Sequence, residues 1–146
     1  MDTVSDILKA KASRPVLTID RGENVLNATH LMNEHSVGSI IVTDSGQMCG
    51  IFTERDVLRR IVVEQRNPGT TKVGDVMTSR VACCFAETSV DDARSMLKSH
   101  RVRHLPVVDG HGQLIGLISI GDLNAHLTHA HEVTIHFLNE YLHGRS

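Results

Sequence analysis

An α+β fold built from two copies of one β-α-β-β-α unit is what this sequence predicts, and three observations carry the prediction. The stretch Val37–Asp44 (VGSIIVTD) lines up with Val102–Asp109 (VRHLPVVD) at an offset of 65 residues. The stretch Gly50–Val57 (GIFTERDV) lines up with Gly116–Leu123 (GLISIGDL) at an offset of 66. Ahead of the first stretch, apolar residues recur at helical spacing in both copies: Val25, Ala28, Leu31 and Met32, then Val90, Ala93, Met96 and Leu97. Self-similarity at a fixed period marks a repeated supersecondary unit. Each unit leaves an apolar sheet face that it cannot cover alone, so two fused copies bury those faces against each other with pseudo-two-fold symmetry.

Each copy yields the same elements in order. A short lead-in comes first, Val4–Leu8 in copy one and Val73–Met77 in copy two. The lead-ins sit 69 residues apart, so copy one carries four extra residues around Lys11–Arg14. A first strand follows, Val16–Ile19 and Val81–Phe85. The first long helix is expected after Asp20 in copy one and after Thr88 or Ser89 in copy two, all fair N-cap residues. A hairpin comes next, Ser39–Thr43 to Met48–Thr53 and Leu105–Val108 to Leu114–Ser119. The one-residue slip between the two offsets falls in its turn, where an insertion does little harm. A second helix opens at Thr53 or Ser119. The expected boundaries are a first domain over 1–66, a linker over 67–72, a second domain over 73–127 and an extra C-terminal helix over 128–146. The tail stripe Leu127, Ala130, Phe137, Leu138 and Tyr141 suits a homodimer contact, or packing on the same chain.

Composition narrows the function classes. Hydrophobic residues make up 40% and charged residues 22%, with a net charge of −2. That is globular composition with no broad basic field for nucleic acid and no reason for a membrane surface. Aromatics are 3%, too few for a base-stacking platform. Three cysteines, Cys49, Cys83 and Cys84, argue against a disulfide framework, and Cys83-Cys84 alternates across a strand with one side chain in and one out. His126, His129 and His131 have poor ligand spacing, so no metal site is expected. No signal sequence or apolar span is visible, and a cytoplasmic location is the expectation, or an organelle matrix after removal of a presequence.

The Asp75-Val76-Met77 lead-in, the Leu105–Asp109 strand (LPVVD) and the Gly-x-x-Thr/Ser-x-x-Asp turns at Gly50–Asp56 and Gly116–Asp122 together resemble the cystathionine-β-synthase (CBS) domain family. The resemblance covers nearly the whole chain and looks like a stand-alone tandem pair, the Bateman-type module. It implies a regulatory module that binds AMP, ADP, ATP or NAD in clefts between the repeats, with no catalytic cofactor.

The residue types of the paired turn suit that implication chemically. Thr53 and Asp56, like Ser119 and Asp122, place a hydroxyl at a helix N-cap and a carboxylate one turn in. A carboxylate accepts two hydrogen bonds from a ribose diol, and hydroxyl and helix N–H groups bind phosphate. The same spacing is also a plain capping box, and both readings can hold at once. For phosphate, Arg55 inside the motif and Arg103 with His104 ahead of the second hairpin are the choices. Arg59, Arg60 and Arg66 read as a solvated face. Gly38 and Ser39 stand where copy two has Arg103 and His104, so the clefts are unequal. The adenine pocket is expected from Thr18 and Cys83 at equivalent places, with Val16, Val81, Ser39 and Pro106 near; the apolar members also serve the core.

No nucleophile–base pair or Walker loop is visible, so an enzyme is not expected. The leading expectation is a nucleotide sensor acting on a separate, unidentified protein effector. The alternatives are a structural dimerisation module with unoccupied clefts and, further off, a nucleotide-acting enzyme in which His104 is the one suggestively placed group.

Overall fold

A computed structural model of the chain describes residues 2–11 and 16–126. The expected tail helix, its expected dimer stripe and two of the three clustered histidines lie outside these residues. The elements run α1 (Val4–Ala10), β1 (Thr18–Asp20), α2 (Val25–Glu34), β2 (Ser39–Asp44), β3 (Gln47–Thr53), α3 (Glu54–Asp56), a π-helical turn (Val57–Val62), α4 (Val73–Val76), β4 (Cys84–Phe85), α5 (Val90–His100), β5 (His104–Val108) and β6 (Leu114–Ser119). A further helix, α6, begins at 120 and is described to 126.

Two three-stranded sheets result, ordered β1-β2-β3 and β4-β5-β6. In each, the first strand pairs parallel with the second, and the second and third form an antiparallel hairpin. The hairpins carry matching bulges, at Val42/Thr43 and at Val107/Val108. The tight turn between β2 and β3 has Ser45 and Gly46 both at positive φ, the conformation that a two-residue hairpin loop requires. The corresponding turn in copy two is longer and is held by Asp109, whose Oδ1 accepts from the His111 and Gln113 N–H groups.

Several boundaries differ from expectation. β1 covers Thr18–Asp20 rather than Val16–Ile19, because its parallel register places Thr18 opposite Ile41 and Asp20 opposite Thr43. β4 shrinks to Cys84–Phe85, and Val81–Cys83 precede it as coil. α2 begins at Val25, capped by Asn24, whose side chain accepts from Asn27 N at 2.8 Å. Asp20 instead accepts from Gly22 N at 2.8 Å, a local Asx turn that delays the helix. α5 starts after Ser89 as expected. Cys84 is buried in β4, while Cys83, in the coil before it, is half-buried, so the two do not alternate along one strand.

The central feature of the fold is an exchange of lead-ins. Val73, Val76 and Met77 of α4 join the core of the first repeat, with Val25, Ala28, Ile40, Val42 and Phe52. Val4 and Ile7 of α1 join the core of the second, with Ala93, Leu97, Leu105 and Ile118. The backbone contacts repeat across the pseudo-two-fold. Val4 N donates to Thr88 O and Ser5 N to Ala86 O, just as Val73 N donates to Glu23 O and Gly74 N to Arg21 O. Two equivalent glycines admit these helices. A Cβ on Gly50 would lie 2.7 Å from the Thr78 carbonyl oxygen and 2.6 Å from Met77 Sδ, and one on Gly116 would lie 2.6 Å from Leu8 Cδ2. Each lead-in therefore covers a sheet bare at that point, and each repeat completes the other's core.

Candidate functional site: the cleft between the repeats

The exchange leaves a cavity of about 880 Å³ where the end of α1 and the approach to β1 face the β6 turn. Its walls include Lys11, Val16, Ser39, His104, Ser119 and Asp122. Five of the thirteen residues chosen from sequence therefore come together here: Val16, Ser39, His104, Ser119 and Asp122. Thr53, Arg55, Asp56, Thr18, Val81, Cys83, Arg103 and Pro106 are not in this wall. Arg55 and Arg103 are exposed, and Arg55 Nη1 reaches the Arg101 carbonyl at 3.4 Å. Pro106 is buried in the second sheet.

The two Asp turns have the same internal geometry. Asp56 N donates to Thr53 Oγ1 at 3.2 Å and Thr53 N to Asp56 Oδ2 at 3.0 Å. Asp122 N donates to Ser119 Oγ at 3.1 Å and Ser119 N to Asp122 Oδ2 at 2.8 Å. Both are reciprocal capping boxes, so each carboxylate satisfies an orphan helix N–H before any ligand is considered.

What lies beyond the box separates them. Thr78, just after α4, forms a backbone bridge with Ile51, and its hydroxyl donates to Asp56 Oδ1 at 3.1 Å. Arg60 Nε lies 3.7 Å from the same oxygen, while its Nη1 donates to the Val76 and Met77 carbonyls at 3.3 and 3.0 Å. Arg60 thus ties the end of α4 to the turn, a role missed when it was read as part of a solvated face. Asp56 is left 5% exposed.

Lys11 takes the corresponding place at the second turn. Its Nζ donates to the Leu117 carbonyl at 2.8 Å and to Asp122 Oδ2 at 2.7 Å. Leu117 is the repeat equivalent of Ile51. One flexible ammonium therefore does what the Thr78 backbone and hydroxyl do together, and Asp122 keeps 24% of its side chain accessible. Lys11 sits in the four-residue insert of copy one, the signal that could have pointed to it.

Charge follows the geometry. Burial pushes the Asp122 carboxyl up, but the Lys11 ammonium and the Ser119 N–H outweigh it, and the net shift is downward. Burial lowers His104, opposed in part by the Asp122 carboxylate, so a neutral imidazole faces the cleft near neutral pH. Burial also raises the Cys83 thiol, and raises Cys84 to about 11 with the neighbouring Cys83 contributing, which keeps both protonated. The linkage signs agree. His104 prefers its neutral form when folded, so stability falls as pH drops below its ordinary value of 6.5. The Asp122 contribution is present above its ordinary value of 3.8 and is lost as pH falls through the lowered folded value. Urea midpoints should therefore decline in two stages on acidification. His104→Gln should flatten the first stage, which sets in as pH falls through 6.5, and leave the second.

Among the described residues, no group of three or more His, Cys, Asp or Glu could hold a metal ion. No helix there is long and apolar enough to cross a membrane.

The comparisons agree with this architecture. The family model described as CBS domain matches residues 3–63 and again 73–129. A mitochondrial CBS domain-containing protein of Arabidopsis thaliana is 37% identical over 150 residues, covering 97% of this chain and 72% of the relative. A solved CBS-domain structure from Burkholderia ambifaria is 41% identical, with a TM-score of 0.82 over 86% of this chain and 93% of that one. A Pyrobaculum aerophilum CBS domain protein, solved in complex with AMP, shares the fold at 23% identity, with a TM-score of 0.74 over 82% of this chain and 88% of that one. Two matched repeats and two sheets related by a pseudo-two-fold lead to one conclusion: the chain belongs to the CBS domain family, as a tandem CBS pair.

Proposed function

We propose that this CBS pair is a regulatory module that binds one adenine nucleotide (AMP, ADP, ATP or NAD) in the Asp122 cleft and passes its occupancy to a separate protein. The observation that carries the reading is Asp122 itself. It is a capping carboxylate with a quarter of its side chain accessible, at the wall of a cavity large enough for a nucleotide. The ribose diol would share the Asp122 oxygens, Ser119 would lie beside it, and Val16 would contribute apolar surface for the base. That the same fold holds AMP in the Pyrobaculum protein supports the ligand class. The Asp56 half-site is read as a structural counterpart, since Thr78 and Arg60 already fill its hydrogen-bonding positions.

The lead-in exchange supports signalling. A ligand that repositions the end of α1 acts on a helix whose apolar face belongs to the second repeat. Homodimerisation, through the tail or another face, would widen that readout, and binding without turnover is the inferred mode. The test is calorimetric titration with AMP, ATP, NAD and S-adenosylmethionine, followed by recovery of the ligand. Saturable binding of a phosphorylated adenine ligand, recovered unchanged, supports the module. Conversion of the ligand would point to an enzyme, and no binding of any of the four would leave a structural pair.

A further inference from the structure

Phosphate needs a cation, and among the described residues the cation in this cleft is not one of the arginines. Arg55 and Arg103 lie outside the cavity wall, and His104 faces it as an imidazole whose charged form burial disfavours. Lys11 is in the wall, and its ammonium sits 2.7 Å from Asp122 Oδ2. That oxygen already accepts from Ser119 N at 2.8 Å. A ribose diol that bridges both Asp122 oxygens must therefore compete with Lys11 for Oδ2.

We propose that Lys11 selects the ligand of this cleft, giving up Asp122 to the ribose and pairing instead with the phosphate of a 5′-phosphorylated adenine nucleoside. The inference rests on the reading that the cleft takes an adenine nucleotide, and it adds which chemical form is accepted and by what means. Without ligand, ammonium and carboxylate neutralise each other inside the cleft. A neutral diol that takes the carboxylate leaves the ammonium with the Leu117 carbonyl but no counter-charge, in a cleft whose water the ligand has displaced, which is costly. A phosphate restores the balance with a charge-assisted bond. An unphosphorylated nucleoside cannot restore it, and a sulfonium such as S-adenosylmethionine adds a like charge. The exchange is mechanically easy. The Lys11 backbone is held at the end of α1 through its N–H to the Leu8 carbonyl, so a long, rotatable side chain is all that must swing. The Asp56 turn of copy one cannot do the same, because the short, neutral Thr78 stands at the matching place and Arg60 is committed to the Val76 and Met77 carbonyls.

The experiment is paired calorimetry with AMP and adenosine, on the parent chain and on Lys11→Met, a neutral side chain of similar length. The parent should prefer AMP to adenosine by about tenfold or more, the usual scale of one charge-assisted bond. Lys11→Met should weaken AMP by a similar factor and leave adenosine unchanged or tighter, bringing the two within about threefold. A parent that binds AMP and adenosine equally overturns the proposal, and this arm needs no variant. A folded Lys11→Met that keeps the parent's preference also overturns it while leaving nucleotide binding intact. A parent that binds neither ligand overturns the nucleotide reading and this proposal together.

Discussion

Ile7→Ala should destabilise the chain by roughly 2–4 kcal/mol and loosen the second repeat first, although Ile7 lies in the lead-in of the first. Ile7 is 3% exposed and packs with Leu97, Leu105 and Ile118, none of which belongs to its own repeat. Truncating it removes buried methyl groups and leaves a cavity between α1 and the β4-β5-β6 sheet, which the surrounding helix and strands can only partly fill. Amide hydrogen exchange gives the readout. Protection should fall in α5, β5 and β6 before it falls in β2 and β3. Val76→Ala, at the repeat-equivalent position in α4, should show the reverse order, because Val76 packs with Phe52 and Ile40 of the first repeat. Loosening of the repeat that carries the substitution would mean that the lead-ins are not exchanged in solution.

Asp56→Ala should cost roughly 2–4 kcal/mol, and Asp122→Ala about half as much, despite their matching places in the repeat. Each substitution removes a capping box, worth about 1 kcal/mol. At Asp56 it also strands the Thr53 N–H and the Thr78 hydroxyl in a part-buried setting and takes away the carboxylate beside Arg60. At Asp122 the freed Lys11 ammonium faces an open cleft and can be hydrated there. Urea denaturation of the two variants measures the difference. Equal losses, or a larger loss at Asp122, would contradict the division into one structural and one accessible half-site.

Most of the fold was legible because the repeat wrote it twice. The hairpins, the helix faces at Val25, Ala28 and Met32 and at Val90, Ala93 and Leu97, and the Thr53 and Ser119 turns all carry local signals. Element starts were harder where two local hydrogen-bonding options compete. Asp20 and Asn24 are both credible N-caps, and only the Asp20 carboxylate closing on Gly22 N decides between them. The lead-in exchange left no trace in the residues. Val4 and Ile7 match Val73 and Val76 in pattern, so either lead-in fits either sheet, and the choice is set by chain geometry. Lys11 is the instructive miss. The insert that carries it was visible, but its partner Asp122 lies 111 residues away, and no periodicity links them. Arg55 drew the phosphate role by its place in the motif and Arg103 by the family resemblance, whereas Arg55 reaches the Arg101 carbonyl, Arg103 is exposed and Arg60 turns to the end of α4.

The most direct test of the unequal clefts is the stoichiometry of AMP binding, measured by calorimetry on chain quantified by amino-acid analysis. One nucleotide per chain is expected, retained in Asp56→Asn and lost in Asp122→Ala. Two nucleotides per chain, or one that survives Asp122→Ala, would contradict the assignment of the site to the Asp122 cleft.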